Sequence, residues 1–242
     1  MFRKIILCCL GLLIIGTGLV SANDYSPRVG EVLHYKVIVK SAIYGADQTV
    51  KVVSKGVYNG REVYTIHSEM WAIGLVKGIH NYRQVEDLIM DADGFYPWVI
   101  KVNTQDANKS KQEEVRFDYA AKKAFRSVIK NDEPQKNSEI ELPGPVQDGL
   151  SLLFFLCRDK VADSENQIYF YGNGSIDHIT FTTKQATQPV QLDCGTYTKY
   201  LQIFDNVSRI TVLVTQSPSR IPIVVKKMAK FGMIEMKLSQ IQ

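Results

Sequence analysis

The sequence is poor in the features that announce a chemistry. Its charges nearly cancel, 29 Lys and Arg against 25 Asp and Glu, too even a balance for a nucleic-acid-binding surface. The four histidines, His34, His67, His80 and His178, show neither HExxH spacing nor a partnered Cys motif, so no zinc site is expected. No glycine-rich loop leads into Lys-Ser or Lys-Thr, which excludes a phosphate cradle of that kind. Asp91-Ala92-Asp93-Gly94 opens like a calcium loop, but its Gly comes too early and Val102 stands at the twelfth position, where a bidentate Glu is required. Gly149-Leu150-Ser151-Leu152-Leu153 lacks the second glycine of a hydrolase elbow. From these patterns no catalytic residue, metal or other cofactor is assigned.

Long apolar runs are also missing, with one exception at the N-terminus. Arg3 and Lys4 precede an uncharged stretch from Ile5 to Val20, and Val20-Ser21-Ala22 places small residues before polar Asn23-Asp24. That is the layout of a secretory signal peptide, with cleavage expected after Ala22. A retained membrane anchor is the alternative, but the run falls short of the roughly 17 to 20 residues a spanning helix needs. Cys8 and Cys9 lie too close to the start to follow an apolar core, so they leave with the leader rather than carry lipid. Residues 23–242 then form a single β-rich domain, large enough for a substantial core. Losing Arg3 and Lys4 takes 29 basic residues to 27 against the same 25 acids. Only Cys157 and Cys194 remain, and an oxidising compartment permits them to pair. Two buried free thiols are the other reading.

What the mature chain does have is alternation. Leu33, Tyr35, Val37 and Val39 alternate with His34, Lys36 and Lys40, as in a half-buried strand, with Ile38 breaking the polar face. Asn59-Gly60 separates Val57-Tyr58 from Val63-Tyr64-Thr65-Ile66 and reads as a tight hairpin turn, because both residues tolerate positive φ. Similar punctuation recurs at Asp93-Gly94, Gly172-Asn173-Gly174 and Gly195, and alternating pairs recur to the C-terminus. An antiparallel sheet is expected throughout. Pro222 limits Ile221 to Val225 to a strand start or an edge. The polar stretches 103–114 and 131–139 read as exposed loops. Lys226, Lys227, Lys230 and Lys237 give the last two strands a basic bias; a basic rim would suit an anionic lipid headgroup, and charge that protects edge strands is the default reading.

One segment breaks the pattern. Asp148 can cap a helix whose body, Leu150 to Cys157, is apolar except for Ser151, so nearly every face must be buried. A buried strand would suit the same run, but its Leu-rich, poorly β-branched composition favours the helix. Ser151 is expected to share hydrogen bonds with Asp148 in the first turn.

These landmarks resemble a large family of exported bacterial proteins known only as a domain of unknown function. The resemblance rests on Gly30, Glu31, Leu33, Tyr35 and Gly45 at the opening, then on Asp93-Gly94 with Pro97 and on Phe117-Asp118. Further on it rests on Asp148 and Ser151 leading into an apolar helix that ends at Arg158, on Gly195-Thr196-Tyr197, and on Arg220-Ile221-Pro222-Ile223. Cys157 occupies the place nine residues after the Asp where the family pattern has Arg, and 216–219 lacks an Asp often found there. The resemblance implies a mainly β fold, a curved antiparallel half-barrel similar to periplasmic lipoprotein carriers, with a short buried helix around 148–158. It implies no established activity.

The expected function is non-catalytic: a soluble periplasmic binding or carrier protein for a lipid or acyl ligand. Met70 to Val76 would be an apolar lip at the mouth of the cavity, supplying Trp71 and Leu75, and the helix would supply Leu150 and Phe154. A core strand is the plainer reading of that stretch. The alternative function is an envelope assembly or interaction protein whose interior is filled by its own side chains and whose partner is another envelope protein. An enzyme of envelope glycans or lipids would need ionisable groups such as Asp148 or His178 to meet a second one in a cleft. No nucleic acid and no membrane span after leader removal are expected.

Overall fold

The computed structural model describes residues 26–131, 133–158, 164–205, 209–216, 220–229 and 232–242. The expected leader, its cleavage point, Cys8, Cys9 and Lys230 lie outside these residues. The first half of the chain is an antiparallel meander of β1 (Val32–Val39), β2 (Ile43–Tyr58), β3 (Arg61–Ala72), β4 (Arg83–Asp91), β5 (Pro97–Asp106), β6 (Lys109–Asp118), β7 (Lys123–Lys130) and β8 (Lys136–Glu141), with helix α1 (Gly74–Ile79) between β3 and β4. Next come β9 (Val146–Gln147) and helix α2 (Gly149–Leu156). The second half holds β10 (Ser164–Gly172), β11 (Ser175–Ala186), β12 (Val190–Leu192), β13 (Gly195–Tyr197), β14 (Tyr200–Asp205), β15 (Ile210–Thr215), β16 (Pro222–Ala229) and β17 (Gly232–Ile241).

Fifteen strands make one sheet in the order β8-β7-β6-β5-β4-β3-β2-β1-β17-β16-β15-β14-β11-β10-β9, and β12-β13 stand apart as a hairpin. The two halves join where the ends of the domain pair, Leu33 opposite Ile241 and Val39 opposite Ile234. The outermost strands, β8 and β9, are not paired with each other, so the sheet is curved but is not a closed barrel. The expected mainly β, curved sheet with a short buried helix is what the chain forms. All pairs are antiparallel except β9 with β10, where Val146 and Gln147 run parallel to Tyr169 and Phe170.

Local chemistry explains the turns. Asn59 and Gly60 adopt φ of 49° and 77°, as a tight hairpin needs. Asp91 locks the β4–β5 turn: its carboxylate accepts the backbone N–H of Asp93 and Gly94 and the Trp98 Nε1–H. Pro222 opens β16, where no ladder donor is missed. Two loop expectations fail, because 103–114 is mostly β5 and β6 and 136–139 belongs to β8. β8 is an edge strand with hardly any buried residue, so it needs no apolar alternation, and its Lys136, Glu139 and Glu141 protect the open edge. The edge-strand reading of the C-terminal lysines also fails. β16 and β17 are interior strands, and Lys226 and Lys237 instead flank Glu235, at 3.7 and 2.9 Å.

The register sorts the inner face of the first half into rows. Val52, Ile66, Leu88, Ile100 and Val115 lie directly across β2 to β6, and all five are buried. Helix α2 lies against this region, touching β4, β9 and β16. Its Leu150, Leu153 and Phe154 join the core built with those rows, while Leu156 and Cys157 join a second core with Ile168, Ile179, Phe181, Ile203, Val212 and Val214. The helix is thus an apolar wedge between the two halves.

Candidate functional site

Along the inner strands toward the α1 end, the rows turn polar. Next to the apolar row lie Val50, Ser68, Glu86, Val102 and Glu113, and beyond them Gln48, Met70, Gln84, Thr104 and Lys111. The Tyr82 hydroxyl donates to Gln84 Oε1 at 2.6 Å, and Gln84 Nε2 donates to Glu86 at 3.4 Å. Burial and then the facing Asp148 carboxyl push the Glu86 carboxyl well up, so that in its acid form it donates to Asp148. Asp148 itself caps α2. Its Oδ1 accepts the Ser151 N–H at 2.9 Å, while Ser151 Oγ accepts the Asp148 N–H at 2.9 Å and donates to Gln147 at 2.8 Å. This is the expected capping pair, now fully buried.

A second polar cluster bridges the two ends of the sheet. Glu113 on β6 accepts from Arg126 Nε on β7 at 2.8 Å and from the Tyr171 hydroxyl on β10 at 2.8 Å, and it pairs with Lys111. Burial alone would raise its pKa; the Arg126, Lys111 and Tyr171 hydrogen bonds outweigh that and hold it at about 2. The Phe117 and Tyr171 rings meet edge to face at 5.7 Å. Side chains therefore fasten a seam that strand pairing leaves open. Beside the seam is a cleft of about 480 Å³ lined by Tyr96, Phe155, Tyr169 and His178 among others. The larger depression, about 640 Å³ around Glu114, Arg116 and Phe125, is open and mixed in polarity.

The residues expected to share a ligand groove are not brought together. Leu150 and Phe154 are buried in the core, Leu75 is 81% exposed on α1, and Trp71 alternates to the face opposite Met70 and Ala72 on β3. The apolar lip is real only as a short helix after the end of β3. Between α2 and β10, β11, β14 and β15, an apolar groove lined by Leu152, Leu156, Ile168 and Phe181 has a free volume of about 20 Å³. Arg158, which ends the expected motif, lies over the Phe95 ring at 5.5 Å, and its carbonyl accepts from Arg220 at 2.5 Å. Cys157 and Cys194 are free thiols, which corrects the pairing option. Cys157 donates to the Leu153 carbonyl one helical turn back, whereas Cys194 contacts Tyr197 and the Leu238 carbonyl. Burial drives the Cys157 thiol up, away from the reactive thiolate.

Of the ionisable groups singled out from sequence, His178 has the Tyr169 ring as its neighbour at 5.4 Å. Asp148 does meet a second ionisable group, Glu86, but its oxygens already serve the helix N-terminus. Sequence reasoning missed Glu86 and Glu113. The signal was present for Glu86, which continues the inward alternation of Leu88 and Met90 with a charge.

The family model described as "Protein of unknown function (DUF3108)" matches residues 33–239. The chain belongs to that family. Among solved structures, a beta-barrel-like protein of domain of unknown function DUF1849 from Brucella abortus is similar with a TM-score of 0.54 at 12% identity, covering 90% of this chain and 99% of the other. That likeness to the DUF3108 chain is one of fold. An exported protein with a YmcC-like fold from Bacteroides fragilis aligns over 90% of this chain and 98% of its own at 8% identity, with a TM-score of 0.34. A lipoprotein from Parabacteroides distasonis aligns over 90% and 97% at 9% identity, with a TM-score of 0.31. No curated protein matches the chain. Among the described residues of this DUF3108 member, no helix is long and apolar enough to cross a membrane.

Proposed function

We infer that this DUF3108 protein is exported, loses its leader after Ala22, and works in the cell envelope as an interaction protein whose interior is filled by its own side chains. The observation that carries this reading is the apolar space between α2 and β10, β11, β14 and β15, about 20 Å³; the cleft of about 480 Å³ on the Phe155 side is open to solvent and lies outside that apolar interior. Small-molecule pockets occupy roughly 300 to 1,000 Å³, and 20 Å³ has room for about one water. Leu150 and Phe154 fill the place an acyl chain would need. The buried polar groups around them support the same reading: Asp148 and Glu113 are occupied by Ser151, Glu86, Arg126 and Tyr171 within the chain.

Native mass spectrometry of the protein isolated from its own envelope tests this directly. The expected mass is that of the polypeptide beginning at Asn23, with no adduct. A stoichiometric lipid or fatty acid surviving purification would overturn the filled-core reading in favour of a carrier.

A further inference from the structure

The surface at the α1 end gives that envelope partner a chemistry. Helix α1 buries none of its six residues, and Leu75 and Ile79 are 81% and 74% exposed. Isolated exposed leucines are ordinary, but these two stand together with Ile43 and Tyr44 at the start of β2, each about two-fifths exposed. The helix is seated through Val76, whose Cγ2 lies 3.0 Å from where a Cβ on Gly45 would be, and through the Ile73 N–H to the Gly45 carbonyl at 2.9 Å. Gly45 sits at the bulge in the β1–β2 pairing, where Val37 meets Ala46 and Ile38 meets Tyr44. The sheet therefore holds α1 by its one inward side chain and turns Leu75 and Ile79 outward.

The unpaired charge around this apolar tip is mostly basic. Lys77 lies on α1 between Leu75 and Ile79, and Lys40 follows β1 and donates its backbone N–H to the Met233 carbonyl. Lys227 is reached from Val39 across β17, opposite Ile234; two strand spacings are roughly 10 Å. All three are exposed, and none forms an ion pair among the described residues. Of the acids on this side, Asp193 pairs with Lys36 at 2.6 Å, while Asp47, which accepts the neutral Tyr44 hydroxyl, and Asp106, 3.3 Å from His80, are outnumbered by the three free lysines.

We propose that the tip formed by α1 and the start of β2 docks on a membrane surface rich in anionic lipid, with Leu75 and Ile79 entering the interface and Lys40, Lys77 and Lys227 meeting the headgroups. Apolar side chains flanked by cations are the composition that gives interfacial binding, and a tyrosine beside them suits the boundary. This proposal names the partner within the filled-core reading and rests on it.

Co-sedimentation of the protein isolated from cells with phosphatidylcholine vesicles, with and without phosphatidylglycerol, tests the tip. The wild-type protein should partition onto the anionic vesicles and leave them as salt is raised. Leu75→Ser with Ile79→Ser should weaken partition by about tenfold or more, from the apolar area removed. Lys77→Glu should weaken it by several-fold, and Phe125→Ser, an exposed apolar site on β7, should leave it unchanged. Thermal unfolding of each variant should match the wild type, since none of these side chains is buried. The proposal is overturned by no partition, by equal partition onto neutral vesicles, or by a double variant that binds like wild type. A reversible dimer abolished by the same double substitution would overturn it too, assigning the tip to a second copy. Protein that carries no lipid in native mass spectrometry yet ignores vesicles sinks the tip alone; a bound lipid sinks the filled core.

Discussion

Helices α1 and α2 are drawn from similar residues, Gly-Leu-Val-Lys-Gly-Ile and Gly-Leu-Ser-Leu-Leu-Phe-Phe-Leu, and they end in opposite environments. The first N–H groups of a helix have no partner within it. In α2 they are met by Asp148, so that helix can leave water and press both halves of the sheet onto its apolar sides. The residue before α1 is Ile73, which offers no side-chain acceptor, and α1 stays in solvent with Lys77 in its last turn. A short apolar run is therefore no guide to burial until the polar groups at its ends are accounted for.

The largest effect that distinguishes the two helices is a truncation. Phe154→Ala should cost about 3 to 5 kcal/mol, as buried Phe→Ala changes do, whereas Leu75→Ala should stay within about 0.5 kcal/mol. Urea titration of the two variants checks this, and similar losses would mean that α1 is covered in solution. Acid should act next, through the Glu113 clasp that holds the seam closed around α2. Its folded pKa of about 2 lies below the ordinary 4.5, so its contribution is fully present above 4.5 and is lost as pH falls toward 2. The loss is about 3 kcal/mol by linkage, and Glu113→Gln should flatten that part of the stability profile.

Glu86 runs the other way. Its folded pKa is raised, so its contribution is complete below about 4.5 and declines as pH climbs through the folded value. Glu86→Gln, which keeps a donor toward Asp148, should therefore raise stability at neutral pH and remove that slope. The cap itself comes third: Asp148→Ala should cost about 1 to 2 kcal/mol while Asp148→Asn costs much less, because Asn caps nearly as well. The smallest global effect belongs to Gly45→Ala. Its Cβ would press on Val76 and on Val39 Cγ2 at 3.2 Å, so hydrogen exchange should rise in α1 with a stability loss of about 1 kcal/mol. Unchanged exchange there would show that Val76 is not what seats the tip.

Several of these features were legible in the chain. Period-two alternation at Leu33, Tyr35 and Val37 places one face inward whatever the partner strand, and Asn59-Gly60 makes its hairpin from its own φ preferences. The Asp148–Ser151 cap lies within four consecutive residues, which is why it could be foreseen. The strands at 103–114 and in β8 were missed for the converse reason: the polar ends of the interior strands β5 and β6, like the edge strand β8, take their ladders from neighbouring strands and leave no apolar pattern behind.

The local terms can be read along the chain: strands that alternate, turns that need positive φ, a capped apolar helix, and an N-terminal run that reads as an export signal. Where those pieces meet is set by the folded sheet. The pairing of β1 with β17, the Glu113–Tyr171 bridge between β6 and β10, and the contact of Glu86 with Asp148 join residues 58 to 208 positions apart. No local preference encodes such contacts, because their worth comes from burial and hydrogen bonding that exist only once the sheet has curved around α2. The same holds for the space a ligand would have needed. Its volume is set by how closely Leu152, Leu156 and Phe181 approach one another, and that distance belongs to the fold, not to any one stretch of the chain.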